Sequence, residues 1–154
     1  MIISRILGNI KDTGLAETEH STIDWVPIEW YEVHKKTLHK FSREGVEVGI
    51  RREDTTPLRS GDILWLDNGY LLIVEISECE CLGLMPGTMT EMAEACYAIG
   101  NRHAPLFLEE GELLTPYDEP LMTALTKLGL SCCKKTARLT RSIGGHAGGH
   151  THSH

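Results

Sequence analysis

The chain has 154 residues, 41% of them hydrophobic, enough for one ordinary domain or two small ones. Its net charge of −7 and pI near 5.6 exclude nucleic acid as the main partner, because phosphate recognition needs a concentrated positive field. No run approaches the roughly 20 apolar residues that span a bilayer, and the start lacks a charged-then-apolar leader, so a cytoplasmic protein with no membrane partner is expected.

Residues 1–77 read as an all-β domain. Short runs rich in β-branched and aromatic residues, at 1–7, 23–30, 37–41, 46–50 and 63–66, are separated by turn signals. Asp67-Asn68-Gly69 is a hairpin turn into a strand at 70–76, since Asn-Gly readily takes positive φ. Seven of the 15 Lys and Arg residues fall between Lys35 and Arg59, which reads as a solvated sheet surface.

From residue 78 the pattern changes. A strand at 79–85 precedes a helix that carries Met89, Met92, Ala93, Cys96 and Ile99 on one face, opened by a Thr88/Glu91 capping box and ended or loosened by Gly100. Short strands at 106–108 and 112–114 flank a Glu109-Glu110-Gly111 turn. A second helix from about Asp118 turns Leu121, Met122, Leu125 and Leu128 inward and stops at Gly129, and residues 130–135 form a last strand. This order, βαββαβ, predicts a ferredoxin-like domain over 78–141, so the fold class is α+β. No periodic signal follows Arg141, and residues 142–154 are expected to form a flexible tail, disordered without metal.

That tail holds four of the eight histidines, His146, His150, His152 and His154, among small spacers. Imidazoles without core-forming neighbours suit Ni, Cu and Zn ions. Their irregular spacing argues against a purification tag. A fifth imidazole, His103, stands where the first helix of the second domain should end. One fixed imidazole cannot hold a transition ion tightly, so His103 needs further donors, from the tail or from a second copy of the chain across a two-fold axis.

The remaining constellations are weaker. Five cysteines (Cys79, Cys81, Cys96, Cys132, Cys133) are an odd number without disulfide-scaffold spacing, which suits a reducing compartment. Cys79 and Cys81 share a strand face and could chelate a soft metal, but they lie roughly 6.5–7 Å apart along it, so core packing is the expected role. Cys96 and His103 are separated by about 10 Å of helical rise, too far for a nucleophile and its base. Of Cys132 and Cys133, one thiol should point inward and one out. No zinc-hydrolase, nucleophile-elbow, phosphate-loop or dinucleotide motif occurs, so a non-enzyme is expected.

The Gly100-Asn101-Arg102-His103 element, with Pro105-Leu106 and Tyr117-Asp118 after it, resembles the UreE family of urease accessory proteins, which are nickel metallochaperones. The resemblance runs over nearly the whole chain, through the Trp25 to Trp30 strand, the Leu58-Arg59-Ser60-Gly61-Asp62 turn and the histidine-bearing end. It implies a partner-binding β domain, a metal-binding ferredoxin-like domain, a homodimer joined through the latter, and delivery of Ni(II) to apo-urease with other accessory proteins, including the urease GTPase. His103 then corresponds to the interface ligand, and the last histidines to the tail ligands. Some relatives carry extra histidines after the tyrosine; Asp118-Glu119-Pro120 stands there in this chain, so such an internal site is not expected.

Two rival readings share these residues. A general cytoplasmic buffer for Ni, Zn and Cu has the same donors and no client, and Zn(II) or Cu(II) competes for any imidazole site. A metal-dependent hydrolase would combine His103 with the carboxylates of Glu109, Glu110 and Glu112 and keep an open coordination position.

Overall fold

A computed structural model of the chain describes residues 1–13 and 22–144. Two compact units divide it, Met1–Ser77 and Glu78–His154. The fold is α+β, strand-rich, with three α-helices among the described residues.

In the first unit, β1 (Ile2–Ile3), β4 (Glu47–Arg51) and β3 (Thr37–Phe41) form one sheet in the order β1-β4-β3. A second sheet has the order β2-β6-β5, from β2 (Thr22–Ile28), β5 (Ile63–Asp67) and β6 (Tyr70–Ile76). β6 lies between two partners and buries both faces, which is why its sequence is a nearly unbroken apolar run. β2 alternates instead, and its inward Val26 and Ile28 join Val48, Ile50, Leu72 and Val74 in a core drawn from both sheets. Each such side chain contributes roughly 1.5–3 kcal/mol of burial. Asn68 (φ 44°) and Gly69 (φ 80°) make the turn expected between β5 and β6.

This half is not purely β. A single helical turn, α1 (Ile10–Thr13), forms because Asn9 Oδ1 accepts the Lys11 N–H while Asn9 Nδ2 donates to Asp62 and to the Ser60 carbonyl. The strand expected at 1–7 shortens to Ile2–Ile3, since Leu7 and Gly8 turn to hydrogen-bond Ile63. The strand expected to reach Trp30 ends at Ile28, where Glu29 and Glu32 cap a 3-10 turn, Trp30–Glu32, reciprocally. Between Lys35 and Arg59, Lys40, Arg43 and Arg59 pair with Glu32, Glu75 and Asp12, but Arg52 departs from the solvated-surface reading: it is buried and donates to Asp54 and to the Thr56 carbonyl.

The second unit has β7 (Glu78–Leu84), α2 (Met89–Asn101), β8 (Phe107–Glu109), β9 (Glu112–Pro116), α3 (Glu119–Lys127) and β10 (Cys132–Arg138). Its sheet runs β10-β7-β9-β8 with every neighbouring pair antiparallel, the ferredoxin-like arrangement. Leu82, Leu84 and Leu113 of the sheet meet Ala95 and Ile99 of α2 and Leu121 and Leu125 of α3. Asp118 caps α3 by accepting the Leu121 N–H. Leu128, expected to face inward, is half exposed at the C-cap.

Ser142 and Ile143, assigned from sequence to the tail, belong to this unit. Ser142 bridges Phe107, the Leu108 N–H donates to the Arg141 carbonyl at 3.0 Å, and the Ile143 N–H donates to the Leu106 carbonyl at 2.7 Å. Two residues carry no period, so pattern reading has nothing to detect in so short a pairing.

Candidate metal centre

His103 owes its position to both ends of α2. At the start, Thr88 Oγ1 accepts the Glu91 N–H at 3.1 Å, and Glu91 Oε2 accepts the Gly87 N–H at 2.7 Å, one residue before the cap. Along the helix, Ala95 and Ile99 are buried, with Met92 and Cys96 packed beside them. The apolar stripe read from sequence therefore splits. Met89 is 87% exposed and Ala93 is exposed, and with Tyr97, 77% exposed, they form a separate outer face.

The helix passes through Gly100 rather than stopping there. The Ala104 N–H donates to the Ile99 carbonyl at 3.3 Å and the His103 N–H to the Gly100 carbonyl at 2.9 Å, the paired bonds of a Schellman motif. His103 is thus the residue after the C-cap, at φ +55°. Glycine is the default there, because a Cβ in the left-handed region costs roughly 1–2 kcal/mol. An exposed imidazole occupies the position instead, between Arg102 and Ala104, whose N–H groups both donate to the carbonyl of the buried Ile99.

Ile143, at the root of the tail, hydrogen-bonds the segment that follows this turn. Leu106, which accepts the Ile143 N–H, is three residues after His103, and His146 is three residues after Ile143. Three residues of chain reach at most about 11 Å. His146, His150, His152 and His154 themselves lie outside the described residues, as does the disorder expected of residues 145–154.

The carboxylates of the hydrolase reading are engaged elsewhere. Glu109 accepts from Thr140 Oγ1 at 2.6 Å, and Glu112 accepts from Lys135 Nζ at 2.6 Å, a hydrogen bond that raises the lysine pKa. Glu110 is exposed on the β8–β9 turn at φ 47°. Among the described residues, no three His, Cys, Asp or Glu side chains gather to hold an ion.

The cysteines divide. Cys96 packs on the core with its Sγ 3.8 Å from Met92 Sδ; Cys132 is partly buried and Cys133 exposed, one in and one out as read. Cys79 and Cys81 depart from the strand-spacing argument: their sulfurs are 3.6 Å apart. Burial first, then the hydrogen bond and charge of Cys79, push the Cys81 thiol up to about 12. Backbone rise fixes the separation of Cα atoms, and the χ1 angles bring the sulfurs together.

No helix among the described residues is long and apolar enough to cross a membrane. Two family models match the chain: "UreE urease accessory protein, N-terminal domain" over residues 3–77, and "UreE urease accessory protein, C-terminal domain" over residues 75–154. Among the most similar relatives, a protein named urease accessory protein UreE from Acetivibrio thermocellus is 52% identical, covering 100% of this chain and 99% of that protein. Proteins of the same name from Flavobacterium johnsoniae and Actinobacillus pleuropneumoniae are 31% and 35% identical. They cover 99% and 92% of this chain, and 92% and 77% of their own lengths.

Proposed function

Since the chain belongs to the UreE family of urease accessory proteins, a family of chaperones and not of enzymes, we propose that it is a nickel metallochaperone. On this reading it binds Ni(II) as cargo in the cytoplasm and delivers it to apo-urease during metallocentre assembly.

The observation that carries the reading is the backbone of His103. A position that favours glycine holds an exposed imidazole, and such strain is retained where the side chain has work to do. The outer face of α2, with Met89 and Tyr97 exposed, leads to this residue and supports a two-fold dimer through the second unit. An isologous contact would set two His103 side chains at the axis, and the tails, rooted beside Leu106, would add His146, His150, His152 or His154. Tail donors can be exchanged one at a time for those of a client, so the ion need never be free. Zn(II) and Cu(II) compete for the same imidazoles. Residues 1–77 are assigned to partner binding, urease and its accessory proteins including the GTPase, and residues 78–141 to metal binding and dimerisation.

The test combines nickel calorimetry with urease activation from apo-urease and its accessory proteins. His103→Ala should lose the tightest site and the activation while keeping the far-ultraviolet circular dichroism of the parent. Unchanged tight binding would overturn the ligand assignment. Tight binding in the parent without any activation of urease would favour a general buffer of Ni, Zn and Cu instead.

A further inference from the structure

β7 lays Cys79, Cys81 and Gly83 on one face of the second unit's sheet, and β10 sets Ala137, Lys135 and Cys133 opposite them. The Cys79 and Cys81 sulfurs turn toward each other across 3.6 Å, far beyond the roughly 2.05 Å of a disulfide bond. That distance has another match. A tetrahedral ion with metal–sulfur bonds of about 2.3 Å holds two thiolates about 3.8 Å apart. We propose that Cys79 and Cys81 are a bidentate thiolate site for a thiophilic divalent cation of the zinc class, separate from His103.

The bite requires a shift of only a few tenths of an ångström. Cys79 is partly exposed and gives the ion its approach, while the fully buried Cys81 fixes the inner donor. Cys81 Sγ now donates to the Cys79 carbonyl at 3.3 Å. On binding, each thiol gives up its proton to solvent and its sulfur lone pair to the ion, so two protons leave for one cation bound. Burial and the neighbouring Cys79 hold the Cys81 thiol protonated, up to about 12, so the ion itself must displace that proton; the positive charge of Lys135, paired across the strands, offsets only a small part of this. No third side chain completes the set among the described residues, so the ion keeps two positions for water or an incoming donor. Soft sulfur donors also separate this site chemically from one built of imidazoles.

The test is a titration of the full-length, reduced protein with Cd(II), followed by the ultraviolet thiolate-to-cadmium charge-transfer band. The band should saturate at one thiolate-bound Cd(II) per chain, persist in His103→Ala and in Cys133→Ser, and be lost in Cys79→Ser. Cys79 is not fully buried, so Cys79→Ser should keep the circular dichroism of the parent, and Zn(II) should protect Cys79 of the parent from alkylation. Absence of the band, or its survival in Cys79→Ser, would overturn the proposal. Because the band reads sulfur alone, this result is independent of whether His103 binds nickel.

Discussion

Replacing His103 by glycine should separate the fold's interest from the function's. At φ +55° the histidine Cβ costs roughly 1–2 kcal/mol, toward the lower end because histidine is among the residues enriched in this region. Glycine removes that cost but returns about 0.5–1 kcal/mol as extra freedom of the unfolded chain. His103→Gly is therefore expected to stabilise the metal-free protein by up to about 0.5 kcal/mol, a rise of up to about 4 °C in the melting of a unit of this size. His103→Ala keeps the Cβ and should show no such gain. Both variants should lose the tightest nickel site. Differential scanning calorimetry in chelator, paired with nickel titration, reads the two effects separately. A glycine variant no more stable than the alanine variant would refute the strain argument, and one that still bound nickel tightly would refute the ligand assignment.

Deleting residues 145–154 should lower nickel stoichiometry by titration and leave metal-free melting unchanged. Extending the cut through Ser142 removes the Ile143–Leu106 hydrogen bond and should lower stability by about 1 kcal/mol in urea melts. Tyr97→Glu, on the outer face of α2, should convert dimers to monomers by light scattering while preserving the fold; an unchanged dimer would place the interface elsewhere. Burial pushes the Asp24 carboxyl up, but hydrogen bonds from Ser42, Tyr70 and the backbone N–H groups of Glu44 and Trp25 outweigh it and hold the pKa below its usual 3.8. A depressed carboxyl stabilises above its ordinary pKa, and the contribution fades as pH falls through the folded value. Asp24→Asn should therefore reduce stability near neutrality and flatten its decline in acid, as measured by urea melts across pH.

The elements marked by strong local chemistry were legible. Asn68-Gly69 and Glu110-Gly111 turn where their positive φ angles allow, Thr88 and Asp118 cap their helices, and the βαββαβ order gives the second unit its sheet. The outward face of α2 was not. Met89 and Ala93 lie next to the buried stripe of Met92, Cys96 and Ile99, and hydropathy alone does not distinguish an apolar side chain facing the core from one facing a partner. The place of His103 as the αL terminator was not legible, because the preceding Gly100 offered the usual stop signal. The 3.6 Å approach of Cys79 and Cys81 depends on rotamers, which strand periodicity does not encode.

The pairing of Ser142 and Ile143 with β8 also bears on how the protein avoids sticking to itself. An uncovered edge strand offers a row of backbone donors and acceptors to any neighbouring chain and so invites fibrous growth. In the second unit one edge, β8, is three residues long and is partly covered by the bridge. The other, β10, carries Lys134, Lys135 and Arg138, with Lys134 and Arg138 set against Glu80 and Glu78 of β7. A stranger's strand would meet occupied groups at the first and a charged ladder at the second. Self-association by strand addition is thus discouraged, and the apolar outer face of α2 is left open for the helix contact that the proposed dimer would use.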